Sequence, residues 1–156
     1  MIKIREANHD DLEDVLELWA NFTEYLEKKE PDFFNLKPEA TEIYRGMLDK
    51  MIADNDIKVW VGDDNGKLVA YHIASIRYPG DVFVQEPYGH ISDLYLKEEY
   101  RGQQLGERLV EETKKWLQQQ GVKKLDVKTF SDNPGGLAFW ESCGFDKMEV
   151  SFKSIL

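Results

Sequence analysis

The apolar positions Leu105, Leu109, Val110, Trp116 and Leu117 fall on one side of a 3.6-residue period and predict an amphipathic helix. Just ahead of them, Ile91-Ser92-Asp93-Leu94-Tyr95-Leu96 reads as a buried strand and Lys97-Glu98-Glu99-Tyr100 as a charged turn. The order is strand, glycine-containing loop, helix. A second helical stripe, Leu12, Val15, Leu16, Trp19, Phe22 and Leu26, follows a first strand over residues 2–7, with Asp10 or Asp11 as its cap. The prolines Pro31 and Pro38 bracket a break. The next helix is expected from Pro38 to about Ala53, with Ile43, Met47, Leu48, Met51 and Ile52 inward.

Residues 57–61 and 68–77 read as strands joined through Asp63-Asp64-Asn65-Gly66, which has the chemistry of a hairpin turn. Gly121 ends the central helix. A strand over residues 122–130, a helix over 134–142 and a last strand over 145–156 complete the expected elements. Two strands joined by a helix lie parallel with a right-handed crossover. The expected fold class is therefore α/β, a mixed and largely antiparallel sheet with helices on both faces. The 156 residues suit one domain, 1–156, which is long enough to bury a core without disulfides or metals.

The net charge of −10 changes the list of partners. Nucleic acid is disfavoured, because neutralising phosphates needs a clustered basic face. The acidic excess either draws in a cationic substrate or serves only solubility, and both readings stay open. The apolar stretch over residues 68–76 is broken by His72 and is too short to span a bilayer. With no hydrophobic signal region at the start and a single cysteine, Cys143, a soluble cytoplasmic protein with no membrane partner is expected. His9, His72 and His90 share no ligand spacing, so no metal is expected.

The start of the central helix carries the first candidate chemistry. Its first amides have no partner inside the helix, and the aligned peptide dipoles leave partial positive charge there. Gly102 and Gly106 permit a tight turn and close approach, and Arg101 adds a phosphate-matching fork. A pyrophosphate fits this pattern. Plain chain reversal fits a two-glycine turn equally well.

A second segment, Asn133-Pro134-Gly135-Gly136-Leu137-Ala138-Phe139-Trp140-Glu141-Ser142-Cys143-Gly144-Phe145, lies one strand further on. Together with Arg101-Gly102-Gln103-Gln104-Leu105-Gly106 it resembles the acyl-CoA-binding core of the GCN5-related N-acetyltransferases. The resemblance is strong over residues 91–145. It implies that the strands on either side of the central helix splay into an acyl-CoA cleft, with the backbone of Leu94, Tyr95 and Leu96 holding the pantetheine. It further implies that Arg101, Gly102, Gln103, Gln104, Leu105 and Gly106 cradle the pyrophosphate, and that Asn133 contacts the CoA arm from a helix cap. Acetyl-CoA is the implied acyl donor, and relatives are frequently dimers, so a homodimer is a possible state.

Two positions depart from the family pattern. Gln104 stands where the middle glycine usually sits and puts a side chain where backbone should approach phosphate; glutamine tolerates a helical backbone, its amide can bond the phosphate or a neighbouring loop, and cofactor binding is expected to survive. Trp140 stands where many relatives carry a tyrosine assigned as the acid for the departing thiolate. An indole N–H donates a hydrogen bond but does not release its proton at useful pH. Trp140 is thus expected against the pantetheine or in the core.

Acetyl transfer from a thioester requires a neutral amine, whereas a free alkylamine holds its proton up to about pH 10. Asp93, on the central strand beside the expected thioester, is the candidate base or water-orienting group; its alternative is a structural polar partner on the strand. With Trp140 in place of a tyrosine, Tyr95, Tyr88 or solvent remains to protonate the thiolate. Glu86 and Tyr88 are candidates for contact with the acceptor. Phe33 and Phe34 either wall the acceptor site or pin their loop. The expected function is acetyl-CoA-dependent transfer to a primary amine of a small molecule, peptide N-terminus or lysine, by direct attack on the thioester. The alternative is a non-catalytic acyl-CoA-binding or regulatory module of the same fold.

Overall fold

The computed structural model describes residues 1–156. The chain runs β1 (Lys3–Glu6), a 3-10 turn (His9–Asp11), α1 (Leu12–Lys29), α2 (Ala40–Ala53), β2 (Ile57–Asp64) and β3 (Lys67–Arg77). It continues through β4 (Tyr88–Leu96), a second 3-10 turn (Glu98–Tyr100), α3 (Leu105–Gln119), β5 (Leu125–Val127) and α4 (Pro134–Ser142). The strands form one sheet in chain order, antiparallel from β1 to β4 and parallel between β4 and β5.

Side chains alternate across a strand, so the central strands feed two cores. On one face α1 and α2 set Val15, Leu18, Trp19 and Leu48 over Val59, Val61, Tyr71 and Ile73. On the other, α3 sets Leu105, Leu109, Trp116 and Leu117 over Trp60, Val69 and Ile91. Covered on both sides, β3 is buried from Leu68 to Ala74, and its sequence is correspondingly apolar except at His72. His72 is satisfied inside the core: its Nδ1 meets the Asp93 carbonyl at 2.9 Å and its Nε2 meets Thr113 Oγ1 at 2.7 Å.

Several expectations need correction. The first helix is entered through Asn8, whose side chain accepts from the Asp10 amide, while Asp11 is taken by Arg5 in a two-pronged pair at 2.7 and 2.8 Å. Ile43 and Met47 lie on the outer face of α2, 48% and 47% exposed, because Leu48 already fills the inward row. The strand expected over residues 122–130 shrinks to Leu125–Val127, since its ladder with β4 has only three rungs. Residues 145–156 form no strand. No backbone hydrogen bond ties residues 146–156 to the sheet, and Met148, Val150 and Phe152 stay exposed.

Candidate active site

The parallel pairing of β4 with β5 covers Gly89 with Leu125, His90 with Asp126 and Ile91 with Val127, and ends there. Beyond Ile91 the two strands part. On the β3 side the Lys97 amide donates to the Val69 carbonyl at 2.9 Å. Backbone polar groups alternate in direction along a strand, so Leu96 and Leu94 turn theirs toward the opening. One of them, the Leu96 carbonyl, accepts from Arg101 Nε at 3.0 Å.

At the point where the strands part, β4 carries a bulge. Ile73 of β3 opposes Asp93 and Ala74 opposes Ile91, which leaves Ser92 as the extra residue. Ile91 and Leu94 pack with the α3-side core, whereas Asp93 turns to the α1–α2 side and meets Tyr71 and Tyr44. His90, next to Ile91, points to the same side as Asp93. In a regular strand, residues three apart lie on opposite faces; Ser92, which takes no place in the pairing, lets His90 and Asp93 share one.

Asp93 Oδ2 accepts from the Tyr71 hydroxyl at 2.7 Å and from the Tyr44 hydroxyl at 3.4 Å. Tyr44 is positioned by stacking on Trp19, with ring centroids 4.2 Å apart. Burial pushes the Asp93 carboxyl up, against the pull of the Tyr71, Ser92 and Tyr44 hydrogen bonds. Burial and the Asp93 charge together raise both tyrosine hydroxyls well above the usual phenol range, so they stay protonated donors. No lysine or arginine pairs with Asp93. Beside it, His90 Nδ1 lies 2.6 Å from Asp126 Oδ1 across the last rungs of the parallel ladder.

The loop after β4 forms an amide-lined cradle. The N–H groups of residues 102–107 donate to no acceptor in the chain; the first amide to be satisfied is that of Arg108, by the Gln104 carbonyl. Gly102 and Gln104 both adopt left-handed backbone, with φ of 71° and 61°. The left-handed backbone at Gln104 shows why glycine suits the position. Gly106 packs against α4, where an added Cβ would lie 3.0 Å from the Phe139 ring. Leu105 is buried and has only its amide to offer. The Arg101 guanidinium lies over the Tyr95 ring, 5.8 Å from its centroid. Gln103 donates to the Glu99 carbonyl at 3.0 Å and holds the turn. The amides, the glycine and Arg101 therefore suit a pyrophosphate.

Asn133 caps α4 by accepting from the Gly136 amide at 3.0 Å, and its Nδ2 reaches the Tyr25 hydroxyl at 3.3 Å. Trp140 packs edge to face with Phe139 and Phe145 and is a core-side residue. Tyr95 has no partner for its hydroxyl among the side-chain hydrogen bonds around the cleft and faces the tyrosine cluster, 6.4 Å from Tyr71. Phe34 stacks edge-on to Phe130, as does Tyr25, so the loop after α1 is tied to the segment following β5. Glu86 is paired with Lys124 at 2.6 Å, and Tyr88 opens β4. Burial raises the Cys143 thiol, and no histidine adjoins it.

Nothing in the sequence singles out Tyr44, Tyr71 or Asp126, and His90 stands out there only as a histidine without metal-ligand spacing. Tyr44 and Tyr71 read as ordinary core aromatics at helix and strand spacing, and nothing local marks them as partners of Asp93. The pairing of His90 with Asp126 depends on the register of two strands 36 residues apart.

By sequence, no curated protein matches the chain. Its fold matches a mutant of the BH1408 protein from Bacillus halodurans at 22% identity and a TM-score of 0.88, over 99% of each chain. It also matches the aminoglycoside antibiotic 6'-N-acetyltransferase AAC(6')-Ih from Acinetobacter baumannii, with 20% identity, a TM-score of 0.77, and coverage of 100% of this chain and 99% of that one. AAC(6')-Iy, in complex with the bisubstrate analog CoA-S-monomethyl-acetylneamine, matches at 14% identity and a TM-score of 0.76, over 100% and 98% of the chains. A sequence model of the Acetyltransferase (GNAT) family covers residues 15–145, and the chain belongs to that family.

Proposed function

We propose that the protein transfers the acetyl group of acetyl-CoA to a primary amine of a small molecule, by direct attack of the amine on the thioester. One observation carries this reading: the sheet parts one bulge residue before a buried carboxylate that lacks a cation. The same opening leads to the free amides of residues 102–107. A buried anion without a counter-charge is costly unless a cation is brought to it. A protonated amine supplies that cation, and the acidic surplus of the chain favours its approach.

Asp93 draws in the ammonium and takes its proton, its basicity helped by burial and its orientation fixed by Tyr71 and Tyr44. The backbone of Leu94, Tyr95 and Leu96 borders the acyl arm, the cradle and Arg101 hold the pyrophosphate, and Asn133 flanks the arm from the α4 cap. The Tyr95 hydroxyl is the group available to protonate the leaving thiolate, since Trp140 is not an acid. The small-molecule acceptor is favoured by the neighbouring aminoglycoside acetyltransferases. The cytoplasm is its expected setting, in keeping with one unpaired cysteine.

Calorimetry with acetyl-CoA, followed by thiol release with spermidine, neamine and a lysine peptide, tests this reading. Binding with release stimulated by an amine supports it, and absence of binding overturns it. Binding without stimulated release by any amine favours the non-catalytic module, which the left-handed Gln104 and the core-bound Trp140 would then explain.

A further inference from the structure

We propose that His90 and Asp126 form a proton relay that empties Asp93 in each catalytic cycle; this rests on the N-acetyltransferase reading. Acetylation of an ammonium forms one N–C bond, breaks one C–S bond and removes two protons from nitrogen. One proton ends on sulfur. The other must reach water, or Asp93 stays neutral and the next ammonium finds no anion.

The surroundings of Asp93 leave few outlets. From α2 and β3 it faces Tyr44 and Tyr71, both held as donors by burial and by the Asp93 charge. On its own strand the facing groups are Ser92, Tyr95 and His90, and from β5 comes Asp126. No lysine or arginine pairs with any of these carboxylates. Among them only an imidazole ordinarily exchanges protons near neutral pH.

His90 is built for the task. The bulge at Ser92 places it on the Asp93 side of the sheet, two rungs into the closed end of the cleft. Asp126 fixes its ring by accepting from Nδ1 at 2.6 Å, which leaves Nε2 as the working nitrogen. Nε2 has no protein partner, yet no buried side-chain nitrogen lacks one, so this atom borders open space. The side chain as a whole is 13% exposed, which gives the ring access to solvent. In the proposed step Nε2 accepts the proton from Asp93 through water, Asp126 stabilises the imidazolium, and Nε2 then releases the proton to buffer. The positive ring in turn favours the ionised form of Asp93.

The test is chemical rescue in the full-length protein, using the amine from the same panel that best stimulates thiol release. The variant His90→Ala is expected to lower kcat about 100-fold with the acetyl-CoA KM unchanged. Added imidazole should restore kcat at least tenfold in this variant and leave the wild type unmoved. Asp126→Asn should show a smaller loss in kcat alone, and His90→Gln, close in shape and unable to carry a proton, should match His90→Ala. A kcat within twofold of wild type in His90→Gln overturns the relay. So does a loss that imidazole fails to restore while calorimetry shows acetyl-CoA still bound. If the wild type itself binds no acetyl-CoA or answers no amine, the acetyltransferase reading falls and takes the relay with it.

Discussion

The buried ring of His72 reaches from the interior of β3 to the main-chain carbonyl of Asp93, 2.9 Å away, while its other nitrogen is held by Thr113 of α3. One core histidine thus ties the bulged stretch of β4 to the helix that begins with the unpaired amides of residues 102–107. Burial holds His72 near 4, below its ordinary 6.5, so it is neutral in the folded protein at neutral pH.

This relation predicts a pH dependence of stability. Between those two values the unfolded chain binds the His72 proton and the folded chain does not, so stability rises with pH across that window. The total is roughly 3 kcal/mol, fully present above the unfolded value and lost as pH falls through the folded one. Asp93 contributes with the opposite sign, because burial raises its carboxyl: its share is present below the ordinary carboxylate value and lost as pH rises through the folded one. Urea midpoints at several pH values should show the rise, and the rise should flatten in His72→Gln. A flat profile in the wild type would contradict the assignment.

Gln104 predicts a gain rather than a loss. A left-handed non-glycine residue costs about 1 kcal/mol, so Gln104→Gly should raise stability by up to that amount. It also clears a Cβ from the cradle, and acetyl-CoA should bind at least as tightly. Thermal unfolding and calorimetry on the one variant check both statements.

Removing the Asp93 charge should separate chemistry from binding. Asp93→Asn keeps the size of the side chain and is expected to reduce kcat about 100-fold or more, with acetyl-CoA affinity little changed. Steady-state rates with a stimulating amine, set beside calorimetry, measure the two effects independently.

Tyr95→Phe examines the acid. If the hydroxyl protonates the thiolate, kcat should fall on the order of 100-fold, with the Arg101 stacking and acetyl-CoA binding retained. An unchanged kcat would assign that proton to solvent.

Gly89 stands on the first rung of the parallel ladder, where an added Cβ would come within 2.3 Å of Leu117 and 3.0 Å of Leu125. Gly89→Ala should therefore cost about 1–3 kcal/mol through overpacking. Because the next rung holds His90 and Asp126, kcat should fall in the fraction that still folds. A denaturant midpoint equal to that of wild type would show that the rung yields more readily than its packing implies.

The sequence carried much of this architecture. The apolar stripe of α1, the hairpin after β2, and the run from β4 through α3 are periodic or punctuated locally, and they stand where the pattern put them. So does α4, whose proline and Asn133 cap announce its start. What failed depended on distant partners. Residues 145–156 alternate like a strand, yet no neighbouring strand receives them. The Pro38 start slipped to Ala40, and Ile43 and Met47 faced outward, because an apolar row wider than the available core must leave some members exposed. The polar cluster around Asp93 was half legible. Asp93 stands out as a charge in an apolar strand, but Tyr44, Tyr71 and Asp126 reach it only through folding, and His90 joins it only through a bulge that strict alternation hides.

That bulge makes Tyr88–Leu96 a self-contained cassette. Its first part pairs with both β3 and β5 and carries the histidine; its last part pairs with β3 alone and carries the carboxylate; one serine between them sets the relative orientation of the two side chains. The surrounding loops can thus change length without altering how this nine-residue stretch orients His90 and Asp93. A single deletion or insertion within it would do more damage than many substitutions around it.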